Sequence, residues 1–177
     1  MKRLLATLMG GIALASPLLH ADQSANEDVP HVLCDGHRLT FGWHGGAPHR
    51  VDVSNLIRAA TLDSAKVLSA ERAGDVDYFV VSVSGPSPSW QAGNSNSGGT
   101  ESNLLWLKLR SWKLLDSQSM QYQSYWDALD PIGTSHLMGG VLTLRFTNRR
   151  QSIDYVLRYD SAHPDEKISI IRAADVE

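Results

Sequence analysis

Metal-binding side chains are concentrated in one short part of this chain. Histidine and cysteine are ligands that zinc and copper prefer in proteins, and five of them lie close together: His31, Cys34, His37, His44 and His49. On a strand, a spacing of three places neighbouring members on opposite faces, because side chains alternate with a period of two. No second cluster adds ligands at a recognisable spacing. We therefore predict no metal site and no cofactor, with exposed histidines and a buried cysteine; a metal-binding protein that uses this cluster is the alternative.

The residues needed for nucleophilic catalysis are incomplete. The closest segment to a G-x-S-x-G elbow, Ser82-Val83-Ser84-Gly85-Pro86, lacks the first glycine and a following helix. An envelope hydrolase could instead pair the Cys34 thiol with His31 or His37, but such a pair also needs a group that orients the base. The sequence identifies no such group. We predict that the protein is not an enzyme and assign no catalytic residue.

Two pairs of carboxylates could bind a cation. Gly74-Asp75-Val76-Asp77-Tyr78 is similar to the calcium loops found between propeller strands. Calcium takes about six to eight oxygen ligands, however, and this segment supplies two acids. Asp127 and Asp130 form the second pair. A polar hairpin turn is the preferred interpretation of the first pair, and we assign a metal to neither.

The segment from Ser84 to Thr100 has no strand or helix pattern over 17 residues and is rich in Gly, Pro, Ser and Asn. Loops of this length are uncommon in compact domains and are usually functional or disordered. Trp90 is typical of a binding anchor, because indole supplies a large contact area at low entropic cost; the alternative is that it folds back onto the core. Glu101 could orient the loop or cap the strand edge. The predicted binding residues are Pro86, Ser87, Trp90, Asn94 and Glu101.

Strands must position these residues, because apolar and polar side chains alternate with a period of two between turn signals. Both faces of the segment 76–84 are apolar, which is typical of a central strand that is covered on both sides. Residues 66–72 and 76–84 form a predicted hairpin. The other predicted strands lie within 37–43, 50–54, 104–109, 112–123, 141–147, 152–159 and 167–172.

Few helices accompany these strands. A short helix is predicted over Tyr125 to Leu129, ended by Asp130-Pro131, and residues 55–69 are predicted to form a short helix or an irregular crossover. No repeat of 20–50 residues is convincing, which disfavours a full propeller. Some eight strands with one short helix and one long loop predict a mostly β fold, an antiparallel β-sandwich or barrel.

The first residues have the pattern of a secretory signal peptide. Lys2 and Arg3 precede an apolar run of about a dozen residues, which is too short to cross a bilayer. Cleavage after Ala21 is favoured and cleavage after Ala15 is the alternative. We predict a signal peptide over 1–21, a single β-rich domain over 22–177, no membrane anchor after cleavage, and a periplasmic or secreted location.

Charge and cysteine content limit the class of partner. Loss of the leader would remove two basic residues and leave 14 Lys+Arg against 19 Asp+Glu, a formal charge of −5. This acidity argues against nucleic acid and favours a cationic protein partner. Cys34 is the one cysteine of the chain, so no intramolecular disulfide can form.

Several short motifs resemble a group of small, largely uncharacterised secreted proteins of Gram-negative bacteria. The resemblance covers about residues 78–160 and rests on the segments 81–87 (VSVSGPS), 99–109 (GTESNLLWLKL), 116–117 (DS) and 124–126 (SYW). It implies that relatives have a cysteine just before the Gly-x-Glu motif and another at the tyrosine, forming a disulfide. This chain has Gly98 and Tyr125 there, so the resemblance implies that the loop lacks this staple.

A looser similarity, in class alone, is to periplasmic lysozyme inhibitors and immunity proteins, which are small exported β-rich domains that present a loop to an enzyme cleft. No motif matches them residue by residue, so this step is an analogy of fold. The leading hypothesis is an exported binding or inhibitor protein that uses residues 84–100 to occlude a partner. The class of partner that we consider first is a cationic envelope hydrolase. The rival hypotheses are the hydrolase or metal-binding protein described above and a structural component of the envelope without a specific ligand.

Overall fold

Eleven strands form three antiparallel sheets in the computed structural model, which describes residues 30–42, 47–88 and 99–175. In each sheet the strands follow one another in chain order. The first sheet contains β1 (His31–Asp35), β2 (Arg38–Gly42) and β3 (His49–Asp52). The central sheet contains β4 (Ser64–Ala73), β5 (Val76–Pro86), β6 (Thr100–Arg110) and β7 (Lys113–Gln123). The third sheet contains β8 (Leu129–Met138), β9 (Val141–Asn148), β10 (Ile153–Asp160) and β11 (Ser169–Arg172), and a short 3-10 helix follows over Ala173–Asp175.

The central sheet is buried on both faces, because β5 and β6 carry apolar side chains at successive positions and these point alternately to either side. One face meets the first sheet in a core that includes Leu39, Phe41, Val51, Phe79, Val81, Leu105 and Leu107. The other face meets the third sheet in a core that includes Tyr78, Val80, Trp106, Leu144, Phe146, Leu157 and Tyr159. The prediction that 76–84 is covered on both sides is therefore confirmed.

The three sheets stack as layers, each with its own edge strands, so none of them closes on itself within the described ranges. The predicted mostly β, antiparallel class is confirmed, in a form similar to a β-sandwich rather than a barrel. The predicted hairpin is also confirmed, since β4 and β5 pair from Ser64 and Ser84 to Ala73 and Val76.

Both acids of the predicted polar turn bind arginine side chains. Asp77 accepts a hydrogen bond from Arg72 at 2.6 Å, and Asp75 lies 3.0 Å from Arg110. Their carboxylates are thus ion-paired, which agrees with the polar-turn interpretation.

The predicted helix over 125–129 is wrong. Residues 125–128 form a turn, closed by two backbone hydrogen bonds of 3.0 Å between Ser124 and Leu129. Ala128 has a left-handed φ of 54°, which a right-handed helix cannot continue through. The Asp127 amide donates to the Ser124 hydroxyl at 3.0 Å, a local bond that competes with helix formation.

Two of the eleven described strands, β1 and β8, had no counterpart among the nine predicted strand segments. β8 begins directly after this turn and contains Pro131, which was expected to follow the end of a helix. Pro131 is tolerated there because β8 is an edge strand of its sheet. Most of β8 is exposed, and its apolar residues are not spaced by two, so it lacks the alternation that marks a strand; they are Leu129, Ile132, Leu137 and Met138. β1 is five residues long and has only a short alternating pattern.

Residues 55–63 of the predicted 55–69 segment are an irregular crossover, one of its two predicted alternatives. For residues 64–69 the prediction is wrong, because the chain enters β4 at Ser64 and pairs with β5 from there. Ser84–Pro86 and Thr100 lie in β5 and β6, so both ends of the predicted loop belong to the sheet. The predicted leader, 1–21, and the cleavage sites lie outside the described residues.

Candidate functional site

The chain leaves and rejoins the central sheet through a narrow pair of strands. Pro86 lies opposite Thr100 in the β5–β6 ladder, and the Ser87 amide donates to the Gly99 carbonyl at 2.9 Å. The Ser87 side chain is buried. We call Pro86–Ser87 and Gly99–Thr100 the neck, because they pair with each other on either side of residues 89–98, which lie outside the described ranges.

Glu101 follows the neck on β6 and is only 2% exposed. One carboxylate oxygen accepts a hydrogen bond from the Ser87 hydroxyl at 2.6 Å, and the other accepts one from the Gln121 side-chain amide. The carboxylate therefore ties the neck to β7 through two neutral donors. A strand-capping role in water, one of the two predicted roles of this residue, does not fit this burial.

Two other segments close tightly around the neck. The Ala60 amide donates to the Pro86 carbonyl at 3.0 Å, and the crossover lies so near that a β-carbon at Gly85 would overlap the Thr61 carbonyl. A β-carbon at Gly99 would likewise overlap Tyr125. Glycine is required at both positions for this close approach, so the neck is fixed by the crossover on one side and by the 125–128 turn on the other.

A cleft of about 680 Å³ opens beside the neck. Trp126 is 37% exposed and meets Tyr125, 58% exposed, edge-to-face at a centroid distance of 5.2 Å. The Arg58 guanidinium pairs with the Asp127 carboxylate at 3.1 Å, and both are solvent-accessible. Among the described residues, the cleft is lined by Arg58, Pro88, Glu101, Ser124, Trp126 and Asp127.

The structure describes three of the five predicted binding residues. Pro86, Ser87 and Glu101 come together at the neck and the inner wall of the cleft, whereas Trp90 and Asn94 lie outside the described residues. The structure adds Arg58, Ser124 and Trp126, which sequence reasoning missed. Two adjacent aromatic residues in a polar context were the available signal at Trp126. Asp127 had been paired with Asp130, but Asp130 instead binds Arg149 at 2.6 Å.

The histidine and cysteine cluster does not converge within the described residues. Alternation along β1 places Cys34 towards the first core and His31 on the opposite, exposed face. His37 bonds to the Ala59 carbonyl at 3.1 Å, and His49 stacks on Trp112 at 4.1 Å. No group of three or more potential ligands is found in the part of the chain that the structure describes; His44 lies outside it.

A second polar cluster joins the central sheet to the third sheet. Burial raises the pKa of the Glu71 carboxyl, while hydrogen bonds from the Ser69 and Tyr159 hydroxyls oppose this shift. Burial and the nearby Glu71 charge raise the pKa of Tyr159 well above its usual range. Tyr159 belongs to the second core. This arrangement connects β4 to β10 inside an interface, and we interpret it as structural.

No helix in the described ranges has the length and apolar character needed to cross a membrane. In comparisons with known proteins, no family model matches the chain, and no curated protein and no solved structure gives a significant match.

Proposed function

We propose that this protein is an exported binding protein that acts by steric contact, with the cleft and the neck as its recognition surface. The observation that carries the proposal is the Glu101 carboxylate, buried beside an exposed indole in a concave site. Binding sites are typically concave and combine apolar walls with a few fixed polar groups, which is the combination found here.

The scaffold supports this role because the site is held rigidly. Ser87, Gln121 and the close contacts at Gly85 and Gly99 fix the neck to three different segments of the fold. A sheet that positions recognition residues where its strands end is a common arrangement in binding proteins. The predicted occlusion by residues 84–100 is retained as part of the proposal, with its described portion at the neck.

A periplasmic or secreted location and a protein partner complete the proposal. They are supported by the signal-peptide pattern and by the acidic balance of the chain, 19 Asp+Glu against 16 Lys+Arg. An acidic binding protein approaches a cationic partner faster, because opposite net charges steer the encounter.

The proposal is tested by binding and inhibition assays with cationic envelope hydrolases, including lysozyme-type enzymes. Protein purified after expression of the full chain is passed over each immobilised hydrolase, and hydrolase activity is measured at increasing ratios. We expect Trp126→Ala and Trp90→Ala each to weaken capture at least about tenfold, as the loss of an aromatic anchor does in other interfaces.

Leu115→Ala is the matched control, since Leu115 is an exposed apolar residue on β7 that does not line the cleft. It should leave capture unchanged. Full capture by both tryptophan variants would show that the recognition surface lies elsewhere.

A further inference from the structure

We infer that the cleft accepts a positively charged side chain, lysine or arginine, from the partner. This inference rests on the proposed binding function and specifies the chemistry of its ligand. It is carried by the charges of the cleft, by its aromatic wall and by the position of Arg58.

Glu101 is a buried carboxylate without a counter-charge. Its two hydrogen-bond donors, Ser87 and Gln121, are both neutral, and no basic side chain forms an ion pair with it in the described part of the chain. A buried charge is costly unless it is paired. Each carboxylate oxygen has a second acceptor position, so an incoming cation can bind without displacing either donor.

The walls of the cleft suit the rest of such a side chain. The Trp126 indole and the Pro88 ring offer apolar surface to an alkyl stem, and an indole face attracts a cation. Asp127 adds a second carboxylate at the rim. The ionisable groups that line the described cleft are therefore two carboxylates and one guanidinium.

Arg58 is a cationic side chain that already lies in this cleft. Its guanidinium already pairs with Asp127, and its side chain is 73% exposed, so it is held by one rim contact in water. Pairs of this kind contribute little. Arg58 therefore acts as a weak internal competitor, and its removal would leave the cleft more negative.

Other ligands fit less well. A neutral hydroxyl would repeat the bonds that Ser87 and Gln121 already give to Glu101, and it would leave the charge uncompensated. A phosphate or carboxylate would be repelled by Glu101 and Asp127. Of these ligands, only a cation supplies the counter-charge that the Glu101 carboxylate lacks.

The probes for the test are acetyl-arginine amide, acetyl-lysine amide and the neutral isostere acetyl-citrulline amide. Each is titrated to its solubility limit against the purified full-chain protein while the Trp126 indole and Gly99 amide resonances are followed by NMR. We expect saturable shifts with arginine or lysine and binding at least about tenfold weaker with citrulline, since charged hydrogen bonds are much stronger than neutral ones. No shift with either cation, or equal binding of citrulline, would overturn the inference.

Two variants with opposite expected effects separate ligand binding from misfolding. Glu101→Gln, which keeps a side chain able to bond to Ser87 and Gln121, should weaken cation binding at least about tenfold. Arg58→Gln should strengthen it about two- to fivefold, and a destabilised fold would not do so. Glu166→Gln and Arg172→Gln make the same charge changes on exposed residues outside the cleft and should have no effect.

Hydrolase capture distinguishes this inference from the proposed function. One outcome is that Trp126→Ala abolishes capture while Glu101→Gln and Arg58→Gln leave it unchanged. In that case the cleft binds the partner without recognising a positive charge, and only the inference fails. If none of these variants alters capture, the proposed recognition surface itself is wrong.

Discussion

The two faces of the central sheet are packed in different ways. The face towards the first sheet is an apolar core with stacked rings, in which Phe79 lies 4.8 Å from Phe41 and 6.0 Å from Trp112. The face towards the third sheet is also apolar, but polar side chains cross its border: Tyr159 bonds to Glu71, Tyr78 to Asp165, the Trp106 indole to the Pro164 carbonyl, and Gln118 to the Ile168 carbonyl.

Because of this difference, the two interfaces should respond differently to substitution and to pH. Apolar packing is non-directional and insensitive to pH, so the first interface should respond to volume alone. Hydrogen bonds are directional, and each contributes about 1 kcal/mol, so the second interface should depend on the register of the third sheet and on pH. Substitutions on the two faces therefore test whether they differ as we describe.

The largest effect is expected at Phe79 on the apolar face. Phe79→Ala removes a fully buried ring from contact with Phe41 and Trp112, and should lower the free energy of unfolding by about 3–5 kcal/mol. The loss should be similar at about pH 4 and about pH 7, because the rings that contact Phe79, those of Phe41 and Trp112, carry no charge. Urea denaturation at both pH values measures it, with Phe79→Leu as a milder control. A loss that varied strongly with pH would contradict an apolar interface.

A smaller, pH-dependent effect is expected at Tyr159 on the polar face. Tyr159→Phe leaves the Glu71 carboxylate with Ser69 as its remaining partner and should cost about 1.5–3 kcal/mol near neutral pH. The Tyr159 hydroxyl helps to lower the Glu71 pKa, which burial raises above 4.5, so the variant raises that pKa further.

The sign of the pH dependence follows from proton binding. The Glu71 carboxyl binds its proton more tightly in the folded state than in the unfolded chain, where its pKa is near 4.5. Stability therefore falls as the pH rises from 4.5 through the folded-state pKa of Glu71. The deficit of Tyr159→Phe should accordingly grow from about pH 4 to about pH 7. Tyr155→Phe, which loses a bond to the neutral Gln151, is the control and should show no such trend. A constant deficit would contradict the role of Glu71.

The smallest effect is expected at Asp165, which is exposed and accepts hydrogen bonds from Lys108 and Tyr78. These bonds, led by Lys108, lower the pKa of Asp165 below 3.8. Its contribution is present above pH 3.8 and is lost as the pH falls through the lower, folded-state pKa. Asp165→Asn should therefore lower Tm slightly at neutral pH and not at all in strong acid. Thermal unfolding across this range measures the difference, and a deficit that persisted in acid would exclude an electrostatic origin.

The sequence predicted the middle of the fold better than its edges. β5 and β6 are long, apolar and covered on both sides, so the hydrophobic pattern is strong. β8 is exposed and contains Pro131, and its partner β9 holds it in the sheet through backbone pairing that no side-chain pattern records. The turn over 125–128 is decided by a left-handed residue and a serine hydroxyl, which helix propensity does not describe.

The site was half predictable for a similar reason. Ser87 and Glu101 flank one unusual segment, so composition pointed to both. Arg58 and Trp126 come from the crossover and from the turn before the third sheet, and they line one cleft with Glu101 only in the folded chain. The local sequence around Arg58 and Trp126 therefore could not predict that they share a cleft with Glu101.

The consecutive order of strands within each layer also has a consequence for biogenesis. Each sheet is complete once its own stretch of chain has been synthesised, which favours rapid formation through short-range pairing. Until the third sheet has docked, however, the Trp106 face of the central sheet lacks the residues between 129 and 168 that cover it. In that interval the face is open to intermolecular association, so we expect docking of the third sheet to be the folding step that is most sensitive to protein concentration.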